Sequence, residues 1–389
     1  MKLRNTVSAI ILALGAFITA AAQQLEANGI NYVIDGGGNA SVVLGDNFYT
    51  GKIVVPAQAG SAPVTRLGFG AFNSCHGLTG VDLPQSIVEI GDYAFNACDS
   101  LTAVKIPESV TRIGAFAFHG CTRILDMTLP DALTSIGDEA FFGCTALKTV
   151  KIGKNVAEIG QRAFQRCTQL KSITVDPENQ WYCDVNGILM TKDARSLITF
   201  SRKNTSWRSY TVPSTVASIS AFAFYGCDAM KSVTLPDGLQ TIGEWAFANC
   251  TVMGSFSLPA SVTHIGANAF FGMKNCKAFY CATVDPLVLR ETASPFGMFT
   301  DLSACTLYVP NAEAVAKYAA APVWKEFGSI VAYLGDVNGD GVVNVSDVTT
   351  LINSILGDAE CDPKTCDINC DGEVNVSDVT ALINTILEQ

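Results

Sequence analysis

Residues 90–98 read IGDYAFNAC, and copies of this pattern recur along the chain. The other copies begin at Leu67, Ile113, Ile136, Ile159, Ile219 and Ile242. From Cys75 to Cys167, the cysteine that ends each copy returns at one constant spacing. The resulting 23-residue period is typical of a solenoid, in which each repeat buries its apolar face by stacking on its neighbours.

Each full repeat continues past its cysteine with alternating apolar residues, as at Leu78, Val81 and Leu83, followed by Pro84. Alternation over so few residues predicts a short strand whose apolar side chains point inward. Strands stacked at the period are expected to pair as one parallel sheet. The Ile-Gly-x-x-Ala-Phe segment then turns the chain back, with glycine allowing a backbone conformation that other residues resist and phenylalanine filling the interior.

This repeat resembles the BspA-like subfamily of leucine-rich repeat proteins, which are found on bacterial cell surfaces. The resemblance extends over about residues 30–333 and rests on eight repeats that carry an Ala-Phe pair. It implies an α+β repeat fold, namely a leucine-rich-repeat solenoid of short parallel strands. The pattern departs at three positions, where Ser220 replaces the repeat glycine, Gly153 the proline and Met273 the cysteine.

The repeats are predicted to fill residues 66–281, between two caps. Alternating runs and glycine-rich turns over residues 23–65 predict an N-terminal cap of strands, because a stack must cover its terminal coil. Residues 282–333 are expected to form a C-terminal cap, with a strand, an amphipathic helix over residues 312–327 and a closing strand.

An insertion lies between Phe164 and Phe224, which are separated by more than two periods where a regular repeat would need only one. We expect a hairpin excursion at about residues 176–212. The insertion carries Trp181, Tyr182 and Trp207. Exposed aromatic side chains on a loop can stack on sugars, and they can equally pack a hairpin onto the solenoid. The sequence leaves both interpretations open.

Seven cysteines hold one position of the repeat, where they are predicted to be small, buried and free thiols. They are Cys75, Cys98, Cys121, Cys144, Cys167, Cys227 and Cys250. One cysteine in each coil gives a row of thiols, whereas zinc requires a tetrahedral cluster of ligands. Cys361, Cys366 and Cys370 lie outside this row, in a loop where the sequence allows a disulfide.

The chain begins with Lys2 and Arg4, an apolar run and a small-residue cleavage site at residues 20–22, which is typical of a secretory signal. Residues 1–22 are therefore predicted to be removed on export. This gives a secreted or cell-surface protein with no membrane span after signal removal. Of the formal net charge of -11, residues 336–389 carry eleven acids against one base. The basic surface that nucleic acid requires is missing, so no nucleic-acid partner is expected.

The acidic end contains two copies of one loop pattern, the first starting at Asp336 and the second at Asp367. Each copy places oxygen donors at loop positions 1, 3, 5, 9 and 12, with a glycine at position 6 and a backbone carbonyl at position 7. Calcium requires such a set of oxygen ligands. The first copy comprises Asp336, Asn338, Asp340, Val342, Asn344 and Asp347. The second comprises Asp367, Asn369, Asp371, Glu373, Asn375 and Asp378. The sequence predicts two calcium ions, with Val342 and Glu373 contributing their carbonyls.

Each loop is followed by an apolar-periodic segment, over residues 343–356 and 374–387, and the two segments agree at 12 of 14 positions. Over residues 334–389 this arrangement resembles a type I dockerin, a small all-α domain with two calcium loops. The resemblance implies that the domain docks onto a cohesin-like partner. The partner contacts of the family correspond here to Val345, Ser346, Ile352, Asn353, Val376, Ser377, Ile383 and Asn384. The basic helix residues that are common in cellulosomal dockerins are missing.

The sequence contains no nucleophile elbow, P-loop or dinucleotide fingerprint. We therefore expect a non-catalytic binding protein, whose solenoid binds a protein or glycan and whose dockerin attaches it to a cohesin-like partner through calcium. The alternative is an adhesin that binds host proteins or glycans directly, with the dockerin-like end as a structural cap held by calcium. A third, minor hypothesis is an enzyme with a site in the insertion at residues 176–210.

Overall fold

The computed structural model describes residues 23–45, 48–200, 208–297, 302–332, 334–338, 343–358, 361, 363–369 and 371–387. These residues form two compact units. The first unit runs to Ser206 and includes Ser220–Phe224, and the second comprises Trp207–Ile219 and the chain from Tyr225 onward. The predicted signal segment at residues 1–22 lies outside the described residues. The same holds for Trp207, Tyr333, Asp340, Val342 and Cys370.

The described part of the first unit contains eighteen strands. They are β1 (Gln23–Ala27), β2 (Ile30–Ile34), β3 (Ala40–Val43), β4 (Gly51–Val54), β5 (Gln58–Ala59), β6 (Ala62–Leu67), β7 (Leu78–Asp82), β8 (Glu89–Ile90), β9 (Ala103–Val104), β10 (Arg112–Ile113), β11 (Asp126–Thr128), β12 (Ser135–Ile136), β13 (Thr149–Ile152), β14 (Glu158–Ile159), β15 (Ser172–Val175), β16 (Tyr182–Val185), β17 (Ile188–Thr191) and β18 (Ser196–Thr199). Strands β1 to β3 are antiparallel, and β6, β8, β10, β12 and β14 continue their sheet in parallel.

The parallel strands pair each residue with the one a single period later. Ile90 pairs with Ile113, which pairs with Ile136. On the other side of the coils, β11, β13 and β15 form a second parallel sheet with the same offset. The predicted solenoid of short parallel strands with a 23-residue period is therefore confirmed.

The interior of the first unit is a stack of phenylalanine rings. Consecutive rings of Phe72, Phe95, Phe118, Phe141 and Phe164 have centroids 5.1–5.5 Å apart and planes within 19° of each other. The alanines that precede them are buried as well. Because each ring covers one face of the next, the coils bury their apolar surface against one another, as the repeat pattern predicts.

The repeat cysteines form a second buried row, which we call the cysteine row. The thiols of Cys98, Cys121, Cys144 and Cys167 each donate to the carbonyl of the phenylalanine 26 residues earlier, at 3.0–3.2 Å. All seven repeat cysteines are buried, and none is in a disulfide. Burial raises the pKa of Cys98 and Cys167 to about 12, and it raises the pKa of Cys121 and Cys144 well above the usual value for a thiol. These thiols therefore stay protonated donors at neutral pH.

The repeat glycine serves a different purpose from the one that the sequence suggested. Gly114 does not have a positive φ. A Cβ built on it would lie 2.7 Å from the carbonyl carbon of Gly91 in the preceding coil, and Gly266 would meet the corresponding carbon of Gly243 at 2.7 Å. The expectation of unusual backbone conformation is wrong, and the glycine is required because two backbones touch there.

Positive φ occurs two residues later in the repeat, at side chains that are mostly large. These residues are Tyr93, Phe116, Glu139, Arg162, Phe222, Trp245 and Asn268, with φ of 52–62°. In the first unit this conformation turns the backbone N–H toward the next coil, where that of Tyr93 donates to the Ala115 carbonyl at 2.9 Å and that of Phe116 to the Asp138 carbonyl at 2.8 Å. The hydrogen bonds between coils offset the cost of about 1–2 kcal/mol for each such residue.

The insertion is an antiparallel meander of β16, β17 and β18. Asn179 is buried and donates to the carbonyls of Gly153 and Val156, which ties the insertion to the coil before it. Tyr182 is half-buried and its hydroxyl accepts the N–H of Ile159, whereas Trp181 is 46% exposed. Of the described aromatic residues, Tyr182 therefore packs the meander onto the coils and Trp181 faces solvent.

Ser220 replaces glycine because its neighbour is the insertion rather than a regular coil. Its backbone N–H donates to the Leu197 carbonyl in β18 at 2.9 Å. The strand of the meander therefore takes the place of the closely stacked Ile-Gly backbone, and a side chain fits at this position.

The described part of the second unit contains nine further strands, all short. They are β19 (Ser209–Thr211), β20 (Ser218–Ile219), β21 (Ser232–Thr234), β22 (Thr241–Ile242), β23 (Ser255–Leu258), β24 (His264–Ile265), β25 (Ala278–Cys281), β26 (Thr306–Val309) and β27 (Ser329–Ala332). Strands β23, β25, β26 and β27 form a parallel sheet. Ser255 pairs with Ala278 at the usual offset, but Ala278 pairs with Thr306, so this coil is longer than the regular period.

The helix expected over residues 312–327 is shorter than the sequence predicted. Helix α1 covers Ala312–Ala320 and is capped by Asn311, whose side chain accepts the Ala314 N–H. A 3-10 turn follows at Trp324–Glu326. Pro322 explains the interruption, because the residue before a proline avoids the helical conformation. Trp324 is fully buried among aromatic rings and donates to the Leu287 carbonyl at 2.8 Å.

The acidic end of the chain is helical, as predicted. Helices α2 (Val345–Ile355), α3 (Pro363–Cys366) and α4 (Val376–Leu387) enclose a small core of Leu351, Cys366 and Leu382. Helix α2 begins two residues later than the apolar pattern suggested, because the Asn344 side chain accepts the Ser346 N–H and caps the helix. Neither Cys361 nor Cys366 is in a disulfide.

Replacing Gly114 with alanine is expected to lower the free energy of unfolding by about 1–3 kcal/mol, because the added methyl group overlaps the preceding coil. Gly153→Ala is the matched control, since its Cβ would lie 3.6 Å from the Pro130 carbonyl oxygen, an ordinary contact. Urea unfolding followed by circular dichroism measures both. Equal stability of the two variants would show that close approach does not select the glycine.

Candidate functional site

The second acidic loop wraps its backbone around its own carboxylates. The Asp367 carboxylate accepts the N–H groups of Asp371 at 3.1 Å and Gly372 at 2.9 Å. The Asp371 N–H also donates to the Asn369 side-chain oxygen at 2.9 Å. The Asp371 carboxylate in turn accepts the Glu373 N–H at 2.9 Å. Loop positions 1, 3 and 5 are therefore brought to one side of the loop.

The aspartate at position 12 closes this loop from the first turn of α4. Asp378 is fully buried, and its carboxylate accepts the N–H groups of Asn369 at 3.1 Å and Asn375 at 2.9 Å. A buried carboxylate is costly unless it is hydrogen-bonded or paired with positive charge. Asp378 thus joins positions 3, 9 and 12 of the loop.

The first loop repeats this geometry in the part that the structure describes. Asp347 is fully buried and accepts the N–H groups of Asn338 at 3.0 Å and Asn344 at 2.8 Å. Asp336 lies at the first position of the loop. Asp340 and Val342 at positions 5 and 7 fall outside the described residues. The two halves of the domain therefore share the position-12 arrangement.

The chemistry of this donor set fits a hard divalent cation. Carboxylates, side-chain amides and one backbone carbonyl are the ligands that Ca²⁺ takes, whereas softer metals prefer sulfur or imidazole. Among the described residues, no three histidine, cysteine or acidic side chains are already gathered in a metal-binding arrangement. Much of the ligand set consists of amides and a carbonyl. In the described part of both loops, the hydrogen bonds bring the loop positions close together, but they do not gather all the ligand atoms into one metal-binding arrangement.

A serine links each loop to the surface of the following helix. The Ser377 hydroxyl donates to the Asn375 side-chain oxygen at 2.8 Å and accepts the Asn369 side-chain amide at 2.7 Å. Ser346 makes the equivalent contacts with Asn344 and Asn338. The serines predicted to contact a partner are therefore positioned by residues that are predicted to hold calcium.

The remaining predicted contact residues are exposed in equivalent pairs. Val345 and Val376 are each 69% exposed, and Ile352 and Ile383 are 40% and 41% exposed. Asn353 and Asn384 are also exposed. Apolar side chains that two helices present in duplicate form a surface that a protein partner could cover. We call these eight residues, including both serines, the helix surface.

The outer face of the second sheet in the first unit is polar. Its exposed residues include Asp126, Thr128, Thr149 and Lys151. In the separate sheet of β4, β7 and β9, the Asp82 carboxylate pairs with Lys52 at 2.8 Å. In the second unit, Tyr280 and Tyr308 on neighbouring strands stack with centroids 4.7 Å apart. The regular period does not predict this pair, because Tyr308 lies 28 residues after Tyr280.

A ridge of aromatic side chains on the turns of the first unit was also missed. Tyr93 stacks on Phe116 at 4.7 Å, and His119 stacks on Phe142 at 4.8 Å. The guanidinium of Arg162 lies 5.0 Å from the centre of the Phe142 ring. We call these five residues, all half-buried, the turn ridge. Aromatic residues that recur with the period at variable positions were the signal that could have identified it.

The histidine on the turn ridge belongs to this packing. His119 Nε2 lies 3.6 Å from the Glu139 carboxylate, which also pairs with Arg162 at 2.8 Å. Burial lowers the pKa of His119, and it outweighs the opposing effect of Glu139. The imidazole is therefore mostly neutral at neutral pH and packs as a flat ring.

In the described part of the chain, no helix has the length and apolar character to cross a membrane.

Comparisons with known proteins agree with this architecture. A family model described as BspA type leucine-rich repeat region matches in six copies, over residues 61–180 and 198–285. A model of the dockerin type I domain matches residues 334–387. No curated protein matches the chain.

Several solved structures share the fold. The pneumococcal vaccine antigen PcpA is 18% identical, with 79% of this chain and 98% of that chain covered and a TM-score of 0.56. A leucine-rich repeat protein from Eubacterium ventriosum is 22% identical, with coverage of 80% and 86% and a TM-score of 0.53. One from Bacteroides ovatus is 21% identical, with coverage of 81% and 76% and a TM-score of 0.50. At these identities the likeness concerns the fold.

Replacing Asp378 with alanine is expected to destabilise the C-terminal helices by about 1–3 kcal/mol, because the N–H groups of Asn369 and Asn375 lose their buried acceptor. Hydrogen exchange measured residue by residue should show those two amides losing protection first. Glu373→Ala, which removes an exposed side chain from the same loop, is the control. Unchanged protection in the Asp378 variant would contradict the role assigned to this carboxylate.

Proposed function

The chain belongs to the BspA-type leucine-rich repeat family, and we propose that it is an exported, non-catalytic binding protein. It is proposed to attach to a cohesin-like partner through a calcium-dependent dockerin. Leucine-rich repeat and dockerin families are generally non-catalytic, and their members are typically extracellular or surface-bound. The dockerin match over residues 334–387 is the observation that carries the proposal. The solenoid is proposed to bind a protein or glycan.

Two calcium ions are proposed, one in each loop. Dockerin type I domains typically bind calcium. The proposed ligands are the side chains of Asp336, Asn338, Asp340, Asn344, Asp347, Asp367, Asn369, Asp371, Asn375 and Asp378, with the carbonyls of Val342 and Glu373. The hydrogen bonds that join positions 1, 3, 5 and 12 of the second loop support this assignment.

The residues around each ion have distinct proposed roles. The ion supplies positive charge, which offsets the repulsion among the carboxylates of its loop. Asp378 fixes the start of α4 to the loop through its contacts with Asn369 and Asn375. Ser377 is held by the same two asparagines. Order in the loop therefore extends to the helix surface, which gives a physical reason for partner binding to depend on calcium.

Calcium removal is expected to unfold the C-terminal helices, because the loops then gather like charges without compensation. Far-ultraviolet circular dichroism should lose helical signal in excess chelator and regain it on addition of calcium. Calorimetry of the chelator-treated chain should give two bound ions for each chain, falling to one in Asp367→Ala and staying at two in the control Glu373→Ala. Unchanged ellipticity in excess chelator, or a stoichiometry unaffected by Asp367→Ala, would contradict the proposed sites.

The helix surface is proposed to contact the cohesin-like partner. Dockerin domains generally bind cohesins. The surface comprises Val345, Ser346, Ile352, Asn353, Val376, Ser377, Ile383 and Asn384. Because α2 and α4 present equivalent residues, both halves must be changed at once to remove all contacts.

The double variant Ile352→Asp and Ile383→Asp is expected to weaken calcium-dependent binding to the partner at least about tenfold, the effect of losing a buried apolar contact at an interface. Leu356→Asp and Leu387→Asp, which alter exposed leucines at the ends of the same helices, form the control. The full chain would be used in pull-downs from the cell envelope, with calcium or chelator, and the captured protein identified and purified for titration. Capture of no calcium-dependent protein would contradict the docking role and favour the alternative, an adhesin whose C-terminal end is a structural cap.

For the solenoid, the structure offers two kinds of surface to a ligand. The outer face of the second sheet in the first unit is polar, and in the second unit Tyr280 and Tyr308 stack on the neighbouring strands β25 and β26. The turn ridge is aromatic and partly exposed. Aromatic side chains are enriched where proteins bind proteins or sugars. These surfaces support a binding role, and they fit both a protein and a glycan.

A further inference from the structure

Two cysteines outside the cysteine row lie on neighbouring strands in the second unit. Cys276 precedes β25 by two residues, and Cys305 is the residue before β26. The strands are paired in parallel, and the Thr306 N–H donates to the Lys277 carbonyl at 2.9 Å. A hydrogen bond therefore joins the chain neighbours of the two cysteines.

The two side chains meet on the wall of one cavity. The Cys276 thiol donates to the Ala278 carbonyl at 3.4 Å and the Cys305 thiol to the Thr306 carbonyl at 3.8 Å, and the two thiols interact with each other. Both line a cavity of about 30 Å³ together with Met273, Leu302 and Phe327. Cys276 is half-buried and Cys305 is buried. The pair is therefore close to solvent and yet sits on the aromatic interior of the unit.

The cysteine row provides the contrast within the same protein. The thiols of Cys98, Cys121, Cys144 and Cys167 donate to a backbone carbonyl of the preceding coil, and burial raises their pKa. The thiols of the pair instead donate to carbonyls one or two residues away in their own segments. The interaction between the two thiols lowers the pKa of Cys305 and raises that of Cys276. Cys305 is thus the better nucleophile, because the thiolate is the reactive form.

We propose that Cys276 and Cys305 are a redox-active pair that closes to a disulfide when the protein meets a small-molecule disulfide, RSSR. The Cys305 thiolate attacks one sulfur of RSSR, which releases one thiol and leaves Cys305 joined to the other half. The Cys276 sulfur then attacks the Cys305 sulfur of this mixed disulfide and releases the second thiol. Two cysteine thiols are oxidised, one RSSR is reduced to two RSH, and the two protons leave on the RSH molecules.

The disulfide would fasten the coil in which the regular period lapses. It closes the segment between residues 276 and 305, which includes Phe279 and Phe296 of the aromatic interior. A covalent link of this kind stabilises mainly by restricting the unfolded chain. The inference rests on the proposed export only for its natural oxidant, since extracytoplasmic compartments maintain disulfides. It does not depend on calcium or on a partner.

The test uses the full chain, reduced and then exchanged into oxidised glutathione until equilibrium. The protein is denatured in acid, alkylated and mapped by mass spectrometry without reduction. We expect a peptide pair joined through Cys276 and Cys305 with the loss of two hydrogen atoms, whereas Cys121 and Cys144 are recovered alkylated. The oxidised chain should melt at a higher temperature than the reduced chain.

Variants separate the pair from unspecific oxidation. In Cys276→Ser, Cys305 should be recovered as a mixed disulfide with glutathione. Cys183 is the matched control, because it is a half-buried thiol whose contact is the Thr191 carbonyl. It should form the mixed disulfide in every variant. Recovery of Cys276 and Cys305 as free thiols, or as two separate mixed disulfides, would overturn the proposal, as would a link from either cysteine to a different one.

Discussion

The structure depends on how closely the backbones of successive coils approach one another. In the turn segment of the first unit, the N–H groups of Tyr93, Phe95 and Ala97 all donate to carbonyls of the next coil. On the other side of the turn, the glycine of each coil touches the backbone of the coil before it. Both contacts require neighbouring coils to have the same length and path. The constant period is thus a condition for satisfying buried backbone groups, which are costly when left unpaired.

Side chains stack because the backbone has already been placed. Phenylalanines lie one above the other, and the thiols of Cys98, Cys121, Cys144 and Cys167 reach the equivalent carbonyl of the preceding coil. Where the period changes, so do the contacts. Ser220 lies against the meander and no longer needs to be glycine. After the longer coil that precedes β26, Cys305 lines the same cavity as Cys276, outside the cysteine row.

The sequence predicted those features that every coil shares. Phe118 and Cys121 could be assigned to the interior because eight repeats present the same phenylalanine and seven the same cysteine in the same surroundings. The reason for Gly114 could not be read from the pattern, since close approach and positive φ both favour glycine. Single features were harder still. The end of α1 depends on Pro322, the start of α2 on the Asn344 cap, and the turn ridge on variable positions whose contacts appear only when coils are stacked.

The chain contains two kinds of repeated element, and bringing the copies together has opposite effects on stability in the two cases. In the solenoid, identical neutral side chains gain contact area when they are stacked, so each added coil stabilises the last. In the acidic domain, the duplicated loops bring carboxylates together, and Asp347 and Asp378 are each buried with backbone N–H groups as their described donors. Hydrogen bonds alone leave the net negative charge in place. In the proposed calcium sites a bound cation would offset this charge, whereas the neutral interior of the coils has no such charge to offset.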